Sequence, residues 1–216
     1  MKIVIGSCEN DKLVDVHLSD ERQSLACFLS ILAPESIESF EISDLTDSKL
    51  PRILQRFTHL KSLSLIRCHA LTDISSIRCC NIQELSIIKC ADFHDLLGIS
   101  AFKSLKILHV SGCDAFDSLP EELENMPALN ALDLSYCDSI GWINLATLPK
   151  NLKILDMHGC WCADFNDADA NKLGIVSLQI QDVVHLEDLS SWPVIPNMIT
   201  QLRHSMTMRD GCGLDS

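Results

Sequence analysis

Three apolar positions recur along this chain in a register that neither a single helix nor a single hairpin would produce. Leu60 opens LKSLSLIRC, Ile82 opens IQELSIIKC, Leu105 opens LKILHVSGC, Leu129 opens LNALDLSYC and Leu152 opens LKILDMHGC. Each copy starts on an aliphatic residue, places two more at its fourth and sixth positions, and ends in cysteine: Cys68, Cys90, Cys113, Cys137 and Cys160. The openings are separated by 22, 23, 24 and 23 residues. Weaker copies continue the period outward. Leu13 opens LVDVHLSDE, Ile37 opens IESFEISDL, Ile175 opens IVSLQIQDV, and Met198 opens a degraded MITQLRHSM. The alternation inside each copy predicts a short strand with one face turned inward. One copy has too little apolar surface to bury alone, so copies must stack on one another. The expected product is a solenoid whose strands form a parallel sheet, about 4.8 Å apart, with same-numbered positions side by side.

The segments between strands return along the other side. Residues 22–34 have Leu25, Phe28, Leu29 and Leu32 at helical spacing, and Pro34 ends that run. Residues 46–58 carry a similar stripe, Leu50, Ile53, Leu54 and Phe57, with Pro51 expected in the first helical turn. Later returns are shorter or richer in proline. ALTDISSIRCCN predicts an irregular or 3₁₀ path, ADFHDLLGISAFKS is intermediate, DAFDSLPEELENMPA has Pro120 near a helix start, and ATLPKN and SWPVIPN predict tight turns. The fold expected is α/β, a horseshoe with a parallel concave sheet and helical to irregular convex returns. It comprises one domain: a cap over residues 1–12, about eight repeats over 13–197, and a degraded last repeat and tail over 198–216. The cap is expected to fold back as a hairpin onto the strand at Val14 to Leu18 and cover the first sheet edge.

The L-x-x-L-x-L-x-x-C pattern resembles the leucine-rich-repeat superfamily from Leu13 to Met198. The cysteine-ending copies are similar to the intracellular cysteine-containing subtype, which is frequent in F-box substrate receptors of ubiquitin ligases. SLPEELENMPALNALDLSYC is similar to repeats of plant resistance proteins and bacterial effectors, and LPKNLKILDM to bacterial effector repeats. No F-box is expected in the twelve residues before the first repeat, and no ligase or kinase domain after the last. The resemblance implies a bare recognition horseshoe with no catalytic residues, no cofactor and a protein partner.

Composition narrows the partner. Hydrophobic residues make up 47% and aromatic residues 5% of the 216, so aliphatic packing carries the core. The net charge of −13 argues against nucleic acid phosphates and anionic membrane surfaces. It favours a protein with a basic surface. Charge is uneven: residues 1–50 have ten acidic and four basic side chains, 51–90 two and six, and 91–170 thirteen and four. A basic belt is thus expected between two acidic zones. The eleven cysteines do not read as a disulfide scaffold, since five fall on one ladder where side chains run parallel. In the ladder their thiols are placed to satisfy backbone groups of the turn. Met1 to Gly6 has only a short apolar run, and no lipidation box or membrane span stands out. A monomer in the cytoplasm, or in a host cytosol if the protein is a secreted effector, is the reading that follows.

In such a sheet the third, fifth, seventh and eighth positions face solvent. The fifth are His17, Glu41, Ser64, Ser86, His109, Asp133, Asp156 and Gln179. The seventh are Ser19, Ser43, Ile66, Ile88, Ser111, Ser135, His158 and Gln181, and the eighth Asp20, Asp44, Arg67, Lys89, Gly112, Tyr136, Gly159 and Asp182. Two patches are candidates for a partner-binding face. One is Ile66 and Ile88 beside Arg67 and Lys89, an apolar centre with a charged rim. The other is His109, Asp133, Asp156 and His158 with Tyr136 as anchor and Gln179 alongside. Two carboxylates and two imidazoles also suit a divalent metal or an acid–base pair. An open sheet face excludes little water, so no metal site and no catalysis is expected there. Gly-Cys-Trp-Cys at 159–162 is not C-x-x-C, Cys79-Cys80 has no partner pair, and P-loop, H-E-x-x-H and G-x-S-x-G motifs are missing. The function expected is a non-catalytic interaction module: adaptor, assembly factor or microbial effector. The alternatives are an immunity-type inhibitor of a toxic enzyme, or a ubiquitin-ligase substrate-recognition subunit lacking its own F-box.

Overall fold

The computed structural model describes residues 1–7, 13–17, 24–78, 81–143, 147–160, 164–165 and 177–179. Seven of its strands repeat the same local solution. They are β3 (Ile37–Ser43), β4 (Ser62–Ile66), β5 (Glu84–Ile88), β6 (Ile107–Ser111), β7 (Ala131–Asp133), β9 (Ile154–Asp156) and β11 (Ser177–Gln179). They pair in parallel, in that order, each to the next. The register keeps equal positions opposite one another. Glu41 faces Ser64, Ser64 faces Ser86, Ser86 faces His109, His109 faces Asp133, Asp133 faces Asp156, and Asp156 faces Gln179.

The fourth and sixth residues of each copy form the inner face. Phe40, Ile42, Leu63, Leu65, Leu85, Ile87, Leu108, Val110, Leu132, Leu134, Leu155 and Met157 are all buried. A one-residue slip would turn every one of them to solvent, so the burial itself holds the register. The opposite wall is built from rows in the returns, one of which is Leu71, Phe93, Phe116 and Ile140. In that row the rings of Phe93 and Phe116 stack with centroids 6.0 Å apart.

The returns are tighter than the helical spacing predicts in one place. Residues 25–30 do form a short helix, α1 (Leu25–Ser30), capped by the Ser24 side chain, which accepts from the Cys27 N–H. Residues 46–58 do not. Their stripe is wound as a 3₁₀ turn, Arg52–Arg56, with Pro51 extended just ahead of it at φ −69° and ψ 134°. Leu50, Leu54 and Phe57 are still buried. A repeat of 22–24 residues leaves too little chain for a longer helix, and a 3₁₀ turn covers more distance per residue. Ile99–Ala101 and Glu121–Asn125 are 3₁₀ turns for the same reason. A second small parallel pair, β8 (Trp142–Ile143) with β10 (Asp164–Phe165), lies outside the main sheet.

The N-terminal edge differs from the repeat register. The strand β1 (Lys2–Ser7) lies antiparallel between β3 and β2 (Leu13–His17). The hairpin forms, but Leu13–His17 is its outer strand and does not take the first place in the parallel stack. His17 is therefore not continuous with the fifth-position row. Ile3 and Ile5 are buried and extend the core, which places the more apolar strand against β3. The sequence of β2 carries Asp15, and a charge on an outer strand discourages further pairing. Ser19, Asp20, Cys79, Cys80, Gln181, Asp182, the return SWPVIPN and the segment 198–216 lie outside the described residues.

Candidate functional site

Every ladder cysteine is buried and reaches back one repeat. The thiol of Cys68 donates to the Ile42 carbonyl at 3.5 Å, Cys90 to Leu65 at 3.7 Å, Cys113 to Ile87 at 3.5 Å, Cys137 to Val110 at 3.1 Å and Cys160 to Leu134 at 2.9 Å. All five acceptors are sixth-position carbonyls. Burial pushes the Cys137 thiol up to about 12 and the Cys160 thiol up to about 11. Contact with the Cys113 thiol, followed by burial, raises Cys90 to about 12, and Cys68 is raised by Cys90 and burial in the same way. Such thiols are poor nucleophiles and poor metal ligands. Cys27 is by contrast exposed, and the described cysteines are free thiols.

The turn that closes each strand has one backbone solution. Asp44, Arg67, Lys89, Gly112, Tyr136 and Gly159, the eighth positions, all have positive φ, between 51° and 72°. The N–H of each of the first five donates to the seventh-position carbonyl of the next repeat at 2.8–2.9 Å. The left-handed turn costs about 1–2 kcal/mol at a non-glycine residue, so four of the six positions hold a side chain against that cost. These side chains stand in a row along one border of the concave face.

The basic belt is partly closed by this row. Arg67 pairs with Asp44 of the preceding repeat, Nε to Oδ1 at 2.9 Å and Nη2 to Oδ2 at 3.2 Å. The pairing holds the Asp44 carboxyl below its ordinary range and raises Arg67. Lys61 pairs with Glu38 in the same back-reaching sense. Ile66 and Ile88 are opposite each other and half-buried. The patch therefore offers Lys89, with its stem along Gly112, beside an Arg67 that is likewise exposed but paired with Asp44.

The second patch is assembled in register. Nδ1 of His109 meets Oδ2 of Asp133 at 3.2 Å, and the Ser135 N–H donates to Oδ1 of Asp133 at 2.9 Å. One strand on, His158 contacts Oδ1 of Asp156 through Nδ1 at 2.6 Å and through its N–H at 3.1 Å. The hydrogen bond to Asp133 raises the His109 imidazole above its ordinary value, against the opposing effect of burial. Burial pushes the Asp133 carboxyl up, but the hydrogen bonds from His109 and Ser135 outweigh it and hold the group below its ordinary range. Tyr136 lies edge-on to His158, ring centroids 4.6 Å apart, and remains 56% exposed. Its ring covers Gly159 so closely that a Cβ there would sit 2.5 Å from Cδ1. Of the seventh positions expected on the surface, Ser43 and Ser135 are buried, as is Ser86 at the fifth. Small side chains lie below the level of their larger neighbours. Gln179 holds its place in the row opposite Asp156, and its side chain lies outside the described residues.

No group of three or more His, Cys, Asp or Glu side chains that could share a metal ion occurs among the described residues. The two imidazoles each face one carboxylate of their own.

A further row belongs to the same face. Ile107, Ala131 and Ile154 occupy the third position in consecutive strands and pair in register. Ile154 is 45% exposed, and Ile107 and Ala131 are half-buried. The signal in the sequence is an apolar residue at the third position of three successive copies, where the three before them carry Ser39, Ser62 and Glu84.

Residues 74–209, more than half of the chain, match the family model described as the At1g61320/AtMIF1 leucine-rich-repeat domain. The chain belongs to this leucine-rich-repeat family. Solved structures agree on the fold. The leucine-rich-repeat domain of the type III effector XCV3220 (XopL) is 18% identical with a TM-score of 0.56, over 73% of this chain and 66% of that one. Internalin C2 from Listeria monocytogenes is 20% identical with a TM-score of 0.56, over 74% of this chain and 68% of that one. The chain thus spans about two thirds of each, just under that share for the effector domain. No curated protein sequence matches it. Leucine-rich-repeat domains generally bind other proteins and are typically non-catalytic. No catalytic family was found, and among the described residues no helix is long and apolar enough to cross a membrane.

Proposed function

We propose that this chain is a non-catalytic recognition module of the cysteine-containing repeat type, which holds one partner protein in the concave face of its sheet. The observation that carries the reading is the in-register patch of His109, Asp133, Asp156 and His158 beside an exposed Tyr136. Polar groups are oriented there by their neighbours before any partner arrives, which lowers the cost of ordering them on binding. An aromatic side chain partly exposed beside them is the residue type most often found at the centre of protein interfaces. The net charge of −13 supports a partner with a basic surface. The free thiols of the ladder suit a reducing compartment such as the cytosol, where an adaptor or an effector would work as a monomer.

The test is capture of partners from a native lysate with the wild-type protein and with an Asp133→Lys, Asp156→Lys double variant shown by circular dichroism to be fully folded at the capture temperature. A partner held by the wild type, lost by the double variant and weakened by added salt is the expected result. Partners retained equally by both proteins would move the binding site off this patch, to the face around Ile66, Ile88 and Lys89 or to the convex side.

A further inference from the structure

The third, fifth and eighth rows over β6, β7 and β9 combine features that no other described part of the sheet combines. Ile107, Ala131 and Ile154 make an apolar strip across three strands, about 10 Å wide at the usual strand spacing. Two residues along each strand, roughly 6.6 Å away on the same face, run His109, Asp133 and Asp156. Farther on stands the ring of Tyr136, seated on Gly159 and nearly perpendicular to the ring of His158. The two carboxylates differ in what they have left to offer. Asp133 has both oxygens engaged, by His109 and by the Ser135 N–H. Asp156 uses Oδ1 for both of its His158 contacts, and among the described residues Oδ2 has no partner. Both side chains keep access to solvent, at 26% and 21% exposure.

Neither imidazole brings a second anion, and no lysine or arginine of the chain is paired with these carboxylates among the described residues. The nearest cation on the concave border, Lys89, belongs to β5's turn and leans on Gly112, beyond the His109 strand. The patch is therefore a pair of carboxylates, each hydrogen-bonded to one imidazole and neither paired with a lysine or arginine among the described residues, bordered by aliphatic side chains on one side and an aromatic ring on the other. The chemistry complementary to it is one cation carried next to one apolar side chain.

We propose that this patch receives a basic–apolar segment of the partner protein: a lysine or arginine over Asp133 and Asp156, its stem against Tyr136, and the adjoining apolar side chain on the Ile107–Ala131–Ile154 strip. This rests on the reading that the concave face is the binding face, and it names what that face selects. Opposite charge brings the cation to the carboxylates, an aromatic ring favours a cation over its face, and the aliphatic strip rejects a segment that is merely basic. Gly159 is a positioning residue for this site. Any side chain there would displace the ring of Tyr136, so the glycine keeps the ring flat.

The probes are three synthetic peptides of equal length: one alternating lysine and valine, one alternating glutamate and valine, and one alternating lysine and serine. Binding to the whole chain is measured by fluorescence anisotropy and mapped by amide chemical-shift changes. The expected result is binding of the lysine–valine peptide at least tenfold tighter than of either other peptide. Shifts should centre on Asp133, Tyr136, Ile154 and Asp156. An Asp133→Asn, Asp156→Asn variant, still fully folded at the assay temperature by its amide spectrum, should lose about tenfold or more, the factor that corresponds to one charge-assisted hydrogen bond. An Ile154→Ser variant should lose preference for valine over serine while keeping preference for lysine. No binding of the lysine–valine peptide, or equal binding of the lysine–serine peptide, overturns the proposal. Shifts centred on Ile66, Ile88 and Lys89 overturn it and leave concave-face binding standing. Shifts confined to the convex returns overturn both.

Discussion

The eighth position shows how much one residue decides in this molecule. Its left-handed turn is the same in six repeats, yet what occupies it ranges from aspartate to glycine. Gly159 is constrained twice, by a φ of 72° and by the Tyr136 ring above it. Gly159→Ala should therefore destabilise the protein by about 1–2 kcal/mol or more in urea unfolding, from the left-handed turn alone. It should also shift the Tyr136 ring resonances. Gly141, where a Cβ would meet nothing within 4 Å, is the control, and Gly141→Ala should be close to neutral. Equal effects of the two would show that neither the left-handed turn nor the Tyr136 ring constrains Gly159.

At the same scale, the His109–Asp133 pair makes stability depend on pH. His109 is raised above 6.5, so its contribution is complete below 6.5 and is lost as pH rises through its folded value. Asp133 is lowered below 3.8, so its contribution is complete above 3.8 and is lost as pH falls through its folded value. The two overlap fully between about pH 4 and 6.5. The stability difference between wild type and Asp133→Asn should be largest in that window. Above it a part should remain, because the Ser135 N–H still donates to Asp133. A difference that is flat from pH 3 to pH 8 would mean that the pair is not formed in solution.

Among the elements, the N-terminal hairpin departs furthest from the repeat pattern. A parallel sheet has an open edge where its first strand has no neighbour, and β3 would present that edge to solvent. The antiparallel β1 closes it and adds Ile3 and Ile5 to the core. Removing residues 1–17 should leave a chain that self-associates, seen as higher mass by light scattering on a sizing column. A truncated chain that stays monomeric at the same concentration would show that the edge needs no cover. The returns make a related point. The helical stripe at 46–58 and the 3₁₀ turn at Arg52–Arg56 bury the same Leu50, Leu54 and Phe57. Periodicity reports which residues face inward, whereas the length of chain available decides how tightly they are wound.

For the whole molecule, the cysteine row is a record of cooperativity. Cys68, Cys90, Cys113, Cys137 and Cys160 are all fully buried and tie each repeat to the one before. Solenoid stability is a sum over repeats and their interfaces, and a strongly coupled stack unfolds as one unit. Labelling with iodoacetamide across a urea series, read cysteine by cysteine, should modify Cys27 in the native state. The five ladder thiols should share one midpoint. A separate, earlier midpoint for Cys160 would mean that the far end of the stack frays independently.

The repeat, the inward rows, the cysteine ladder and the fifth-position row from Glu41 onward, though not His17, were legible in the sequence, because stacking identical turns makes sequence position and spatial position nearly the same thing. His109, Asp133 and Asp156 had to be neighbours once the period was known. What the one-dimensional pattern could not contain is how side chains at neighbouring positions settle against each other. Only the tertiary structure decided that Arg67 turns back to Asp44, that each imidazole takes its own carboxylate, that Ser135 is covered, and that Tyr136 lies over Gly159. It also decided that β1 enters the sheet between β2 and β3. The physical reason is common to all of them. The period is set by the burial of apolar surface, which recurs in every turn, whereas these arrangements are set by local volume, hydrogen-bond geometry and chain direction, which do not repeat.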